Sequence, residues 1–520
     1  MKFCMGAEMN KSNMLFNGFF VREKQEFYIF LCIVFILFVS KSGVLLPGLS
    51  IDDYAYALGG YQSYGLMFSQ GRYMQAGMVW LLDVARVNAN DLYVLFGILA
   101  LLLQALFVLG VLRMVRWQSL PVAALAGALM ASHPYVSEIF TFRMALSGYC
   151  LALLFSIVVL EAVRSTTQVD VRARAIGLAF IAMLGLLFTY QIFVNYLLVL
   201  ALFLFMNGVV RNVSEGRSVF YVEDDYRKAF FILVLMLFSI FVFLAITKTA
   251  ELMGFVKNSP RSAMISVGDV GHRLEQAWDV LQQIYWRDEP VFSVFYKRVA
   301  LVAFVLSLIF VVVSSVSYGY LLAGGMLLFL VALLAPLSIG VILPFKEWWP
   351  VPRVIAHTSM IFGLMLLLAD KCKVVRRMQW LRPIAYGLAG LAVFGFALMS
   401  NQIFSDQLKV NEWDRSLANR VVARLEQESG FQDVRFIHVQ GGRWGYPEPI
   451  RSMQGDMNLS AFFPAWSKVN ILSVVSGYMF KPAEPQMQAV GSAYCAKANK
   501  WPRQGSIFIE GNLAVVCFDE

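Results

Sequence analysis

Two adjacent carboxylates, Asp52 and Asp53, follow the first long apolar run of the chain, inside the stretch Leu46–Tyr56. Acidic side chains at a membrane boundary are costly unless solvated or paired, which marks them as functional candidates. A carboxylate in such a place can act as general base, taking the proton of an attacking hydroxyl. The competing role is to cap the loop helix that follows, which accounts for one of the two better than for both. The same loop continues through Tyr54, Tyr56, Tyr61 and Tyr64 to Ser69-Gln70-Gly71-Arg72-Tyr73.

Three further polar clusters interrupt apolar sequence. Ser132-His133-Pro134-Tyr135-Val136-Ser137-Glu138 is followed by Phe142-Arg143. Glu138 and Arg143 either line a polar cavity or pair with each other, and His133, without a partner at metal-ligand spacing, reads as structural or as a hydrogen-bond donor. Tyr190 and Gln191, with Thr189 and Asn195, break two closely spaced apolar runs and form either a tight turn or a cavity wall. Phe345-Lys346-Glu347-Trp348-Trp349-Pro350-Val351-Pro352-Arg353 offers two cations. Lys346 and Arg353 either snorkel beside interfacial tryptophans or hold a phosphate. The sequence contains no Walker loop, Gly-x-Ser-x-Gly, His-Glu-x-x-His or dinucleotide fingerprint, which removes support from ATP-driven and serine-hydrolase chemistry.

The elements that must position these groups belong to a membrane protein. Of 520 residues 59% are hydrophobic and 15% charged, and mean hydropathy is +0.65. The net charge of +9 lies mainly in short loops on one side of the membrane rather than in a basic stripe interleaved with aromatics, so no nucleic-acid partner is expected. Apolar runs at about 27–46, 92–112, 119–132, 144–161, 175–189, 192–210, 229–246, 299–316, 319–343, 354–369 and 383–400 predict an all-α polytopic membrane protein with about eleven transmembrane helices. Lys2, Lys11, Arg22 and Lys24, then Arg113 and Arg116, then Arg164, Arg172 and Arg174, then Arg211, Arg217, Arg227 and Lys228, and finally Lys371, Lys373, Arg376, Arg377 and Arg382 all fall on one side if the N-terminus is cytoplasmic.

This divides the chain into a cytoplasmic segment 1–26, a transmembrane core 27–400 and a small α/β domain 401–520 on the outer side. Leu66 to Val84 has amphipathic spacing, with Met67, Met74, Met78, Leu81 and Leu82 on one side, and reads as an interfacial helix. In the last domain Asp406–Gln427 has helical periodicity. Val434–Val439 reads as a strand, and Ile507–Phe518 as a hairpin around Glu510-Gly511-Asn512. Cys4, Cys32, Cys150 and Cys372 fall in cytosolic or membrane positions, whereas Cys495 and Cys517 share the outer domain and predict a disulfide.

Asp52-Asp53 after the first helix, Gly71-Arg72 at the loop helix, Tyr190-Gln191, Pro352-Arg353 and the closing Trp501-Pro502-Arg503-Gln504-Gly505-Ser506-Ile507 give the chain a resemblance. It resembles the GtrII-type glucosyltransferases of bacterial O-antigen modification, within the wider GT-C class of membrane glycosyltransferases. The resemblance implies a multi-pass protein of the bacterial inner membrane, with its active site and C-terminal domain periplasmic. It implies a polyprenyl-phosphate sugar donor, typically glucose, and a polysaccharide or lipid-linked glycan acceptor; a partner flippase and a donor synthase would accompany it.

The residues agree with that chemistry. Asp52 or Asp53 would be the base, and direct displacement by one base inverts the anomeric centre. A phosphate leaving group needs positive charge rather than a proton, from Arg72, Lys346 or Arg353. Glu138, Arg143, Tyr190 and Gln191 would line the donor or acceptor cavity. No cofactor or metal is expected. The rival readings are a transporter or flippase of a lipid-linked sugar and a transferase of another sugar such as an aminoarabinose. The nearly charge-free helix interiors and one-sided polar loops favour an enzyme.

Overall fold

In the computed structural model the described residues are 23–57, 62–166, 172–256, 263–317, 320–372, 380–443 and 450–519. Lys2, Cys4, Lys11, Arg22, Tyr61, Lys373, Arg376 and Arg377 lie outside them.

In lipid every backbone polar group must be satisfied within its own segment, so long apolar runs become helices. The first, α1 (Lys24–Lys41), leads through a turn into the six-residue α2 (Ile51–Tyr56). Next come α3 (Gln62–Ser69), α4 (Tyr73–Val84) and α5 (Tyr93–Val115). After α6 (Leu120–Ser132) the chain breaks at His133-Pro134 into α7 (Pro134–Phe140). The bundle continues with α8 (Arg143–Ser165), α9 (Arg172–Leu187), α10 (Phe193–Ser214) and α11 (Asp224–Leu252). It is completed by α12 (Val270–Tyr285), α13 (Val294–Ser317), α14 (Leu321–Ala332), α15 (Leu334–Ile339) and α16 (Ser359–Lys371).

Among the described residues eight helical stretches are long and apolar enough to cross a membrane, which makes this a membrane protein. They involve α1, α5, α8, α10, α11, α13, the α14–α15 stretch and a last helix, α17 (Leu381–Leu425). The expected runs at 119–132, 175–189 and 354–369 do form helices, but α6, α9 and α16 have only 13, 16 and 13 residues. That is short of the roughly 20 a span needs. Burial explains two of them: α16 is buried almost throughout and α6 along most of its length, so longer neighbours shield them from lipid.

Two expected elements differ in extent. The amphipathic Leu66–Val84 stretch is not one helix: it breaks at Gln70-Gly71, where Gly71 adopts φ +71°. The break rotates the two pieces, so Met67 is buried while Met74 and Leu81 are exposed, and α4 buries Gln75, Ala76 and Val79 instead. Conversely, the apolar run 383–400 and the helical stretch after Asp406 are one 45-residue helix, α17. No Pro or Gly follows Gly395 until Gly430, so nothing in the sequence stops it at the membrane boundary. The C-terminal domain therefore grows directly out of the last span.

That domain contains β1 (Phe436–Gln440), α18 (Ala465–Ser476), β2 (Lys481–Pro482), α19 (Pro485–Cys495), β3 (Ile507–Glu510) and β4 (Leu513–Cys517). The sheet order is β2-β1-β4-β3, parallel except for the β3–β4 hairpin. Leu417, Ala418, Val421, Val422 and Leu425 of α17 pack with Ile437, Val439, Ala514 and Val516 of the sheet into one core. Cys495 and Cys517 form the expected disulfide.

The basic loops expected on one side do gather at one end of the bundle. Arg113 bridges Glu26 at 2.7 Å and Glu161 at 3.1 Å, Arg116 and Lys228 both reach Asp224, and Arg211 reaches Glu223 at 3.1 Å.

Candidate functional site

At the opposite end α17 acts as a ruler whose polar side chains hold three remote segments together. The Asn411 side chain accepts from the Leu49 N–H at 2.5 Å and donates to the Leu49 carbonyl at 2.8 Å. Gln407 donates to the Thr141 carbonyl at 2.8 Å. Asp406 accepts from the Arg451 and Ser452 N–H groups at 2.9 and 3.0 Å and from Ser452 Oγ at 2.8 Å. Asp414 accepts from Ser460 Oγ and the Ala461 N–H, both at 2.7 Å. The loop carrying Asp52, the turn after Glu138 and the 451–461 segment thereby converge.

The aspartate pair is split in two roles. Ser50 and Asp53 form a reciprocal capping box on α2. Asp53 is fully buried and accepts four hydrogen bonds, from Ser50 N and Oγ, both at 2.8 Å, and from the N–H groups of Arg143 and Met144 at 3.2 and 3.0 Å. It thus serves the N-termini of α2 and α8 at once. Burial raises its pKa against the pull of those bonds. Asp52, the adjacent residue on α2, is half-buried and accepts from the Trp466 indole N–H at 3.2 Å. Burial pushes its pKa up to about 6, with Arg353 opposing and Asp456 and Asp53 adding to the rise.

Arg353 is the centre of the cluster. Its Nη1 and its backbone N–H each reach Glu138 at 2.5 Å, and its Nη2 reaches Asp456 at 2.6 Å. Its guanidinium also lies over the Phe142 ring at 4.7 Å. Burial pushes the Glu138 carboxyl up to about 7 while Arg353 pulls it down. Glu138 therefore pairs with Arg353 and not with Arg143, correcting one alternative left open by the sequence. The reason is the turn at Thr141-Phe142, which starts a new helix at Arg143 and turns its guanidinium over the Tyr93 ring at 3.8 Å.

Tyr190 sits within electrostatic reach of Arg353, and Arg72 stacks over its ring at 4.9 Å. Gln191 donates to the Gln70 carbonyl at 3.2 Å, fastening that turn to the loop of Arg72. The structure thus joins Asp52, Glu138, Arg353, Tyr190 and Arg72. Lys346 is not among them: its side chain is exposed, its N–H is given to the Ala263 carbonyl at 2.7 Å, and its carbonyl accepts from Arg273 at 3.0 Å. His133 is buried among the rings of Tyr135, Phe292, Phe362 and Phe396, and its Nδ1 accepts from the Tyr135 N–H rather than donating. Among the described residues no three His, Cys, Asp or Glu side chains group as metal ligands.

Residues that sequence reasoning did not single out complete the site. Asp456 is carried by a two-residue turn closed by reciprocal bonds between Gln454 and Met457. Gly455, first in that turn, has φ +59°, and a Cβ there would come within 2.5 Å of Val351. The Gly-Asp pair was the available signal, since such turns favour Gly at the first central position. Behind it, buried Glu289 accepts from Gln454 at 3.0 Å, from Lys297 at 3.1 Å and from the Tyr135 hydroxyl. Lys41, at the end of α1, is buried and donates to the carbonyls of Ser132 and His133 and to Ser137 and Ser400.

A half-buried carboxylate with a raised pKa, facing an arginine at a membrane-protein surface, suits proton abstraction beside an anionic leaving group. The family model for glucosyl transferase GtrII matches residues 41–368. The chain belongs to the GtrII glucosyl transferase family. No curated protein and no solved structure matches it. The GtrII match contains Asp52, Arg72, Glu138, Tyr190 and Arg353, and it ends before α17. The ruler helix, Asp456 and Trp466 are thus added to the GtrII part by sequence beyond the match.

Proposed function

We propose that this protein transfers glucose from a polyprenyl-phosphate donor to a hydroxyl of a surface polysaccharide or lipid-linked glycan, with inversion. The observation that carries the reading is Asp52: in a GtrII family member it is half-buried, raised to about 6 and set against Arg353. A base of that pKa is ionised near neutral pH yet still basic enough to take a hydroxyl proton in the transition state. Asp53 has all its bonding directed to two helix ends, so a single base remains, and attack from one face with departure from the other inverts the sugar.

Arg72 supplies the positive charge that stabilises the departing phosphate, while Arg353, held by Glu138 and Asp456, sets the field around Asp52, and Tyr190 between the two arginines lines the site. Glu138 holds Arg353 in place as a positioning residue. The same reading puts the site and the C-terminal domain on the periplasmic face of the inner membrane. The disulfide between Cys495 and Cys517 supports an oxidising compartment there, and the basic end of the bundle then faces the cytoplasm.

The test uses the full chain in lipid nanodiscs with radiolabelled polyprenyl-phosphate glucose and polysaccharide released from the host surface. Wild type is expected to label the polysaccharide, and Asp52→Asn to lose labelling. Equal labelling by both proteins would remove Asp52 as base, and no labelling by wild type would remove the donor or acceptor class.

A further inference from the structure

We propose that Trp466 is an acceptor-binding platform on which a pyranose ring of the glycan stacks beside Asp52, resting on the transferase reading above for its chemistry. Trp466 lies in the first turn of α18, in the domain beyond the GtrII match. Its indole N–H is given to Asp52 Oδ1 at 3.2 Å, yet the residue remains 53% exposed. A large apolar ring is thus held open to solvent immediately beside the candidate base. The C–H face of a pyranose is apolar while its hydroxyls point outward, so an aromatic face with polar neighbours is a fitting surface for it.

One polar neighbour and a second aromatic flank Trp466. Asn470, one turn later on the same side of α18, donates to the Trp466 carbonyl at 2.7 Å, and Phe463 is 38% exposed just before the helix. The rest of α18 buries Val469, Ile471 and Leu472 in the domain core. Trp466 is also fixed from behind. Asp414 of α17 holds Ser460 and Ala461, and Ser467 Oγ donates to the Ala461 carbonyl at 2.7 Å, fixing the start of α18. A platform fixed before binding loses little ordering entropy when the sugar arrives. Stacking on the indole brings a hydroxyl of that ring to Asp52, so acceptor choice is set by a domain outside the GtrII match.

The experiment measures two things on the full chain in nanodiscs: calorimetric binding of lipid-free polysaccharide released from the host surface by mild acid, and glucose transfer to it. Trp466→Ala is expected to weaken binding, and raise the polysaccharide KM, by about tenfold, the scale of one aromatic contact. Trp466→Phe keeps a ring face without the N–H and is expected to recover most of the binding. Wild-type binding in both variants overturns the platform, as does failure of wild type to bind the polysaccharide at all. Binding by Trp466→Phe as weak as by Trp466→Ala also overturns it, because the N–H to Asp52 would then be the whole effect. If binding depends on the ring but wild type transfers no glucose, the platform stands and the transferase reading falls.

Discussion

At one end of the bundle Arg113 lies between Glu26 and Glu161; at the other Arg353 lies between Glu138 and Asp456. Both arginines are mostly buried and both hold two carboxylates. Around Arg113 a second cation joins among the described residues, because Arg164 also reaches Glu161 at 3.4 Å. Around Arg353 there is a surplus acid. Asp52 faces the same guanidinium, is only half-buried and has its pKa raised, whereas Arg353 is already shared by two other carboxylates. Matched buried charges hold helices in register, while a surplus, solvent-reachable carboxylate retains basicity for chemistry.

The sharpest way to break this comparison is to remove the surplus acid alone. Asp52→Asn is expected to lower glucose transfer by about 10²–10⁴-fold, the range for loss of a general base, with thermal stability retained. The neighbouring Asp53→Asn should do the reverse in character: it removes a shared cap, so denaturation should show a loss of roughly 3 kcal/mol. Arg353→Gln strikes the centre of the cluster. It leaves Glu138 buried without its partner, at about 3–5 kcal/mol in denaturant unfolding, and abolishes transfer along with it.

The pH dependence of transfer sharpens the contrast without mutation. Asp52 works only when ionised, so the rate should climb as pH rises through about 6 and level above it. Below that value the rate should fall about tenfold per pH unit, and a flat profile from pH 5 to 7 would count against Asp52. The smallest effect on catalysis is expected at the other end: Arg113→Gln should cost about 1–3 kcal/mol of stability in an unfolding titration and leave transfer by the folded protein within about twofold.

How far the sequence could be read depended on the range of the interactions. Asp52, Glu138, Tyr190 and Arg353 were legible because each is a polar residue in apolar surroundings, an anomaly visible within a dozen residues. Their pairing was not. Glu138 has Arg143 five residues away and Arg353 215 residues away, and it bonds the distant one because a turn intervenes. Lys346, seven residues before Arg353, is exposed and tied through its backbone to Ala263, so nearness in sequence does not carry it into the Arg353 cluster. Asp456 and Trp466 carried only local turn and helix signals, and their place beside Asp52 follows from α17 crossing from the membrane core into the C-terminal domain without a break.

The sequence by itself determined a helical membrane protein with its basic loops at one end, the β3–β4 hairpin, the disulfide and the GtrII family. These follow from hydropathy, charge placement and local motifs, each set by neighbouring residues. Only the tertiary structure decided which of two adjacent aspartates is spent on helix caps and which stays half-buried beside Arg353 and Trp466. It also decided that Asp456 and Trp466, from sequence beyond the GtrII match, bond Arg353 and Asp52. The reason is physical: on a six-residue helix Asp52 and Asp53 point in different directions, and what each one meets is fixed by segments folded against α2 from up to 414 residues away.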